Sequence, residues 1–216
     1  MEIRPASDRS LLVSFGSQIS LEAHREVRRL VRAFEVLPAG ILNLHPAYAS
    51  VLIDFDPRRL RYEGVEAIVQ QRLEATGADS VPETRTIEIP VCYGGAFGPD
   101  LEDVARHTGL TPARVVELHA SAEYRVYFLG FSPGFPYLGG LPAELATPRL
   151  AAPRKMVPAG SVAIGGSQTG VYPADSPGGW RIIGRTSLRL FDPDAAPPAL
   201  LRLGDTVRFI PMETRR

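Results

Sequence analysis

Gly130-Phe131-Ser132-Pro133-Gly134-Phe135-Pro136-Tyr137-Leu138-Gly139-Gly140 packs four glycines and two prolines around three aromatic rings. A helix cannot run through such a stretch, because proline removes an amide donor and glycine pays a high entropic cost for order. The same chemistry continues downstream: residues 130–184 hold 11 of the 20 glycines and 8 of the 20 prolines. A flexible linker of that composition would be poor in large apolar side chains. Here Phe, Tyr, Leu and Ile are interleaved throughout, so the region is read as folded and dense in tight turns. Residues 124–131, 161–164, 180–183, 187–191 and 206–210 are short apolar runs punctuated by Gly, Pro and Asp. Many short strands with this turn chemistry predict a closed barrel or a sandwich.

Upstream the periodicity changes. Residues 11–15 and 50–55 read as strands, and 41–44 as either a hairpin partner or a connection. Ala23, Val27, Leu30, Val31 and Phe34 recur at helical spacing behind Ser20, a favoured N-cap, and Pro38 and Gly40 end the helix. A second helix is predicted over 62–76, with Val65, Ile68, Val69 and Leu73 on one side. Two helices against a small sheet predict a compact α+β layer, and the aperiodic segment 77–83 is the expected domain boundary. Beyond it, Ile87, Ile89 and Val91 alternate as in a half-buried strand. Two short helices are then expected, one closed by Gly109 and one opened by Thr111 as N-cap with Pro112 at the first helical position.

The 216 residues carry 24 basic and 24 acidic side chains. That balance excludes the strong positive field of a dedicated nucleic-acid binder. No apolar run approaches the length of a membrane span, and the first residues lack the apolar core of a signal peptide, so a cytoplasmic location is expected. Cys92 is the only cysteine, and the histidines 24, 45, 107 and 119 show no H-x-x-x-H spacing. No metal site is expected. His24 and His107 are expected on the surface, whereas His119, at a helix end before a strong strand, is the histidine expected to be buried or functional. Gly165-Gly166-Ser167-Gln168-Thr169-Gly170 resembles a phosphate-binding loop only superficially, because it lacks lysine and no helical pattern follows. It is read as a turn between strands.

The glycine- and proline-rich region contains no His or Cys. Its ionisable groups are Glu144, Lys155, Asp175, Arg149, Arg154 and Arg181, with the phenols of Tyr137 and Tyr172. Arginine forks suit an anion or amide, whereas acid–base hydrolysis at neutral pH usually recruits histidine or a tuned carboxylate pair. Gln168, Thr169 and Ser161 add neutral hydrogen-bonding groups. Beside Trp180, Tyr172 and Phe135, this set reads as a pocket wall or a protein-binding face.

Five further blocks extend the pattern: 148–154 with its two Pro-Arg pairs, Val157-Pro158-Ala159-Gly160-Ser161-Val162, Gln168-Thr169-Gly170-Val171-Tyr172-Pro173, Ser176-Pro177-Gly178-Gly179-Trp180-Arg181-Ile182-Ile183-Gly184-Arg185-Thr186 and Leu203-Gly204-Asp205-Thr206-Val207-Arg208-Phe209. With 128–141 they closely resemble the family that holds the B subunit of bacterial ATP-dependent 5-oxoprolinase, also called allophanate hydrolase subunit 1 or KipI. The resemblance is strongest over residues 93–211. It implies a small α+β domain over 1–82 and a cyclophilin-like β-barrel over 83–216. It also implies a non-autonomous enzyme component that works with two partners, a carboxyltransferase-like C subunit and the A subunit. Together they would open 5-oxo-L-proline to L-glutamate, with ATP used at the level of the complex. Two alternatives belong to the same resemblance: a histidine-kinase inhibitor, and a carboxyltransferase-type component of urea carboxylase or allophanate hydrolase. Tyr137, Arg154, Ser161, Gln168, Thr169, Tyr172 and Arg181 are the signature positions expected at a substrate site or intersubunit interface, with His119 as the candidate proton-transfer group.

Overall fold

The computed structural model describes residues 1–77 and 84–212. The chain divides into two compact units, Met1–Glu83 and Thr84–Arg216. The predicted boundary at 77–83 falls almost wholly outside the described residues.

Unit 1 is a four-stranded antiparallel sheet of β1 (Glu2–Ser7), β2 (Ser10–Ser14), β3 (Ile41–Pro46) and β4 (Ser50–Phe55), in the order β1-β2-β4-β3. Residues 41–44 are thus the hairpin partner. Strand β1 was not expected, because Pro5 and two charged residues hide its alternation. It lies at the sheet edge, where a missing proline amide costs no ladder bond. Helices α1 (Leu21–Ala33) and α2 (Tyr62–Ala75) share one core with the sheet. Val27, Leu30, Val65 and Val69 pack there with Leu11, Val13, Val51 and Ile53. Ser20 caps α1 by accepting from the Ala23 amide at 3.0 Å. His24 corrects an expectation: it is 2% exposed, on the buried side of α1 beside Ala23 and Val27.

Unit 2 is a closed seven-stranded barrel. Its strands are β5 (Thr86–Tyr93), β6 (Tyr124–Leu129), β7 (Pro136–Gly139), β9 (Ser161–Gly165), β10 (Gln168–Val171), β12 (Arg181–Arg185) and β13 (Thr206–Pro211). They run in the order β10-β7-β6-β13-β5-β12-β9 and close where β9 pairs with β10. The β13–β5 pair is parallel and the other neighbours are antiparallel. A two-stranded flap of β8 (Arg154–Val157) and β11 (Ser176–Gly178) stands beside the barrel. Two strand expectations change. Residues 187–191 form no strand, only a bridge from Phe191 to Ala199, and 124–131 stops at Leu129 because Phe131 turns to φ 67°. Helices α3 (Leu101–Thr108) and α4 (Pro112–Ser121) arise from the expected signals. Gly109 ends α3 at φ 71°, and Thr111 accepts from the Arg114 amide at the start of α4.

Asp100 ties α3 to the barrel. One carboxylate oxygen accepts from Arg154 Nη2 and the other from the Ile182 amide, each at 2.7 Å. His119 sits deeper, with no exposed surface. Thr169 donates its hydroxyl proton to Ala163 O at 3.0 Å, so its oxygen accepts from His119 Nε2–H at 2.9 Å. Nδ1 is then the acceptor for Tyr93 O–H at 2.8 Å. The imidazole also stacks on Phe209, with ring centroids 4.6 Å apart. The ring is neutral, its polar atoms are satisfied and no face of it meets solvent, which favours the buried, core reading of His119 over the proton-transfer one. Burial pulls its pKa from 6.5 down to about 3.

The depressed His119 pKa means that the unfolded chain takes up the proton first as pH falls. Stability is therefore full above about pH 6.5 and declines toward pH 3. Between pH 7 and pH 4.5 the wild-type chain should lose about 2–3 kcal/mol more than His119→Gln, measured by urea unfolding at each pH; equal slopes would contradict the assignment. Asp100→Ala strands the Ile182 amide and unpairs Arg154, and should cost about 2–3 kcal/mol in the same measurement.

Candidate functional site

Unit 2 carries a cleft of about 330 Å³ lined by Phe131, Phe135, Tyr137, Arg149, Leu150, Pro153, Tyr172, Pro177, Gly178, Gly179 and Trp180. Its wall exists because the β9–β10 hairpin offers bare backbone. A Cβ at Gly165 would lie 2.5 Å from the Trp180 indole, and one at Gly170 would lie 3.0 Å from both Trp180 and Phe135. Gly178 does the same for Tyr172, whose hydroxyl would lie 2.3 Å from an added Cβ. Phe135 stands edge-on to Tyr172, Trp180 and Tyr137, with centroids 5.2, 5.6 and 5.2 Å away. Edge-to-face packing suits the ring quadrupoles and makes the wall stiff. At the rim, Phe131 is 64% exposed and holds φ 67°, a backbone state that costs a non-glycine residue about 1 kcal/mol or more. Its ring stands edge-on to Phe135 at 5.6 Å.

The electrostatics are one-sided. No carboxylate lines the cleft, and Arg149 is its one charged lining residue. The Arg149 guanidinium lies over the Trp180 ring at 5.7 Å. Burial raises the Tyr172 phenol above its ordinary pKa. A hydrogen bond donated by the Trp180 backbone, then the charges of Arg149 and Arg154, partly offset that rise. The phenol therefore keeps its proton at neutral pH and is a hydrogen-bond donor, not a base.

Of the signature positions, Tyr137 and Tyr172 line the cleft and the other five do not. Arg154 pairs with Asp100, and Arg181 with Asp103 at 3.2 Å. Ser161 is buried and donates to Pro158 O at 2.7 Å. Thr169 belongs to the His119 chain. Gln168 is half-buried at the start of β10, opposite Gly165. The glycine-rich segment 165–170 holds the two-residue turn Gly166-Ser167 between β9 and β10, with Gly166 at φ 67°. No helix N-terminus follows it, which agrees with its reading as a turn between strands. Arg149, read from the sequence only as one member of the region's wider polar set, and Phe131 line the cleft without being among the seven signature positions. The Pro148-Arg149 pair beside Trp180 was the available signal for the first. A positive φ on phenylalanine has no sequence signal at all.

The carboxyltransferase domain family, subdomains C and D, matches residues 1–201. The 5-oxoprolinase B subunit of Escherichia coli O157:H7 is 47% identical across 94% of this chain and 93% of its own length. The protein of the same description from Bacillus subtilis (strain 168) is 42% identical across 97% and 92%. The crystal structure of TTHA0988 superposes with a TM-score of 0.85 at 40% identity, over 96% of this chain and 40% of that larger one. Matches that run nearly end to end leave no doubt about kinship: the chain belongs to the carboxyltransferase subdomain C and D family, together with the 5-oxoprolinase B subunits.

Proposed function

We propose that this protein is the B subunit of a 5-oxoprolinase, a complex that opens 5-oxo-L-proline to L-glutamate with ATP. The observation that carries the reading is the near full-length identity to two bacterial proteins of that description. We read unit 2 as a cyclophilin-like barrel and unit 1 as the α+β domain before it, and place the complex in the cytoplasm. A five-membered lactam is a stabilised amide, so opening it needs an activated carbonyl oxygen and a nucleophile. The cleft supplies an aromatic wall, one guanidinium and two phenols. It can bind and orient a ring, and its lining offers no imidazole or carboxylate to move a proton at neutral pH. That division of labour fits a component active only with the A and C subunits, which would bring the remaining chemistry. The glycine-rich hairpin does not fit a triphosphate, and no step is routed through ATP on this chain.

The purified chain should release no glutamate from 5-oxo-L-proline and ATP, whereas the chain with the A and C subunits should release it continuously. Turnover by the chain alone, or none from the three together, would refute the reading.

A further inference from the structure

Resting on that reading, we infer that the aromatic cleft of unit 2 is a subsite for a small ring-bearing monocarboxylate, with Arg149 as the residue that takes the carboxylate. The lining is rings and proline: Phe135, Tyr137, Tyr172 and Trp180 with Pro153 and Pro177. Such a surface takes methylenes and flat ring faces, and rejects a strongly hydrated molecule. Against it stands a single positive charge without any lining carboxylate, so a ligand with one negative charge is matched and a dianion or cation is not.

Arg149 is built for the task. Among the described residues its guanidinium has no ion-pair partner, unlike Arg154 and Arg181, which α3 occupies through Asp100 and Asp103. Its guanidinium carbon lies over the Trp180 ring at 5.7 Å from the centroid, a contact that uses the charge and consumes none of the N–H donors. The chain on both sides is fixed, since the Leu150 amide donates to Gly179 O at 2.6 Å and Arg181 Nε donates to Pro148 O at 3.4 Å. The fork is thus carried on anchored backbone instead of a free loop, which lowers the ordering cost of binding. Arg154 does not line the cleft and its charge is answered by Asp100, so Arg149 stands as the single uncompensated charge there. The Tyr172 phenol keeps its proton, so it adds no negative charge of its own. 5-Oxo-L-proline, a five-membered ring with one carboxylate, has this chemistry.

Trp180 is the only tryptophan of the chain, so its fluorescence reports the cleft directly. In the assembled complex, Arg149→Gln should raise KM for 5-oxo-L-proline about tenfold or more with kcat little changed, and Arg149→Lys should recover part of the loss. In the chain alone, 5-oxo-L-proline should perturb the Trp180 emission saturably. Its neutral carboxamide should not, and Arg149→Gln should abolish the response. A complex that hydrolyses the lactam with KM unaffected by Arg149→Gln overturns the subsite and leaves the proposed function standing. A complex without lactamase activity overturns the function. The titration then judges the subsite by itself: an Arg149-dependent preference for the carboxylate supports it, and indifference to either sinks it.

Discussion

The close approach of aromatic rings to bare backbone governs unit 2. Trp180 can lie across the β9–β10 hairpin only because Gly165 and Gly170 present no Cβ. Once it lies there, Phe135, Tyr137 and Tyr172 find edge-to-face partners, and a cleft opens between the barrel and the β8–β11 flap strands. A methyl group at either glycine would have to displace an indole that is 5% exposed, in a wall with no slack. The abundance of glycine in this quarter of the chain is therefore less about turns than about room for rings.

A sorting of charge follows from the same geometry. Three arginines surround the cleft region, and two of them are already answered by acidic residues at the start of α3, the N-cap Asp100 and Asp103. Their pairing has a structural purpose, since Asp100 also takes the Ile182 amide and so locks α3 against β12. The remaining arginine rests on an indole instead of a carboxylate, which keeps its charge available to a ligand. One sequence type thus serves two ends, and the identity of the neighbour decides which.

Much of the architecture was legible in the sequence wherever local chemistry is decisive. Ser20, Gly109 and the Thr111-Pro112 pair mark helix ends by capping and backbone preference, and the helices begin and end there. Strand β1 and the flap strands were not legible, because Pro5 and the short, polar β8 and β11 have no alternation to read. The site was half legible. Tyr137 and Tyr172 were named because phenols stand out in a region without histidine, and both reach the cleft. Arg154, Arg181 and Thr169 look equally functional in one dimension, but their partners Asp100, Asp103 and His119 lie about 50 or more residues away in the chain. Spacing along a chain cannot show that a polar group is already satisfied. His24 illustrates the converse, since charged neighbours on the same helix concealed a position that faces the core.

The parallel β5–β13 pair within the barrel also constrains how the molecule comes into being. Thr86 meets Thr206 and Val91 meets Pro211, so the first and last strands of unit 2 are neighbours. During synthesis β5 must wait beside the gap until almost all of the unit has been made, with Ile89 and Val91 lacking their final cover. Long-range pairing of this kind is slow and leaves apolar edges exposed in the meantime. Unit 1, whose sheet and helices draw on nearby segments, carries no such delay. The ribosome would therefore present a finished first unit attached to an open second one, and the interval between the two is when the chain is most exposed to aggregation.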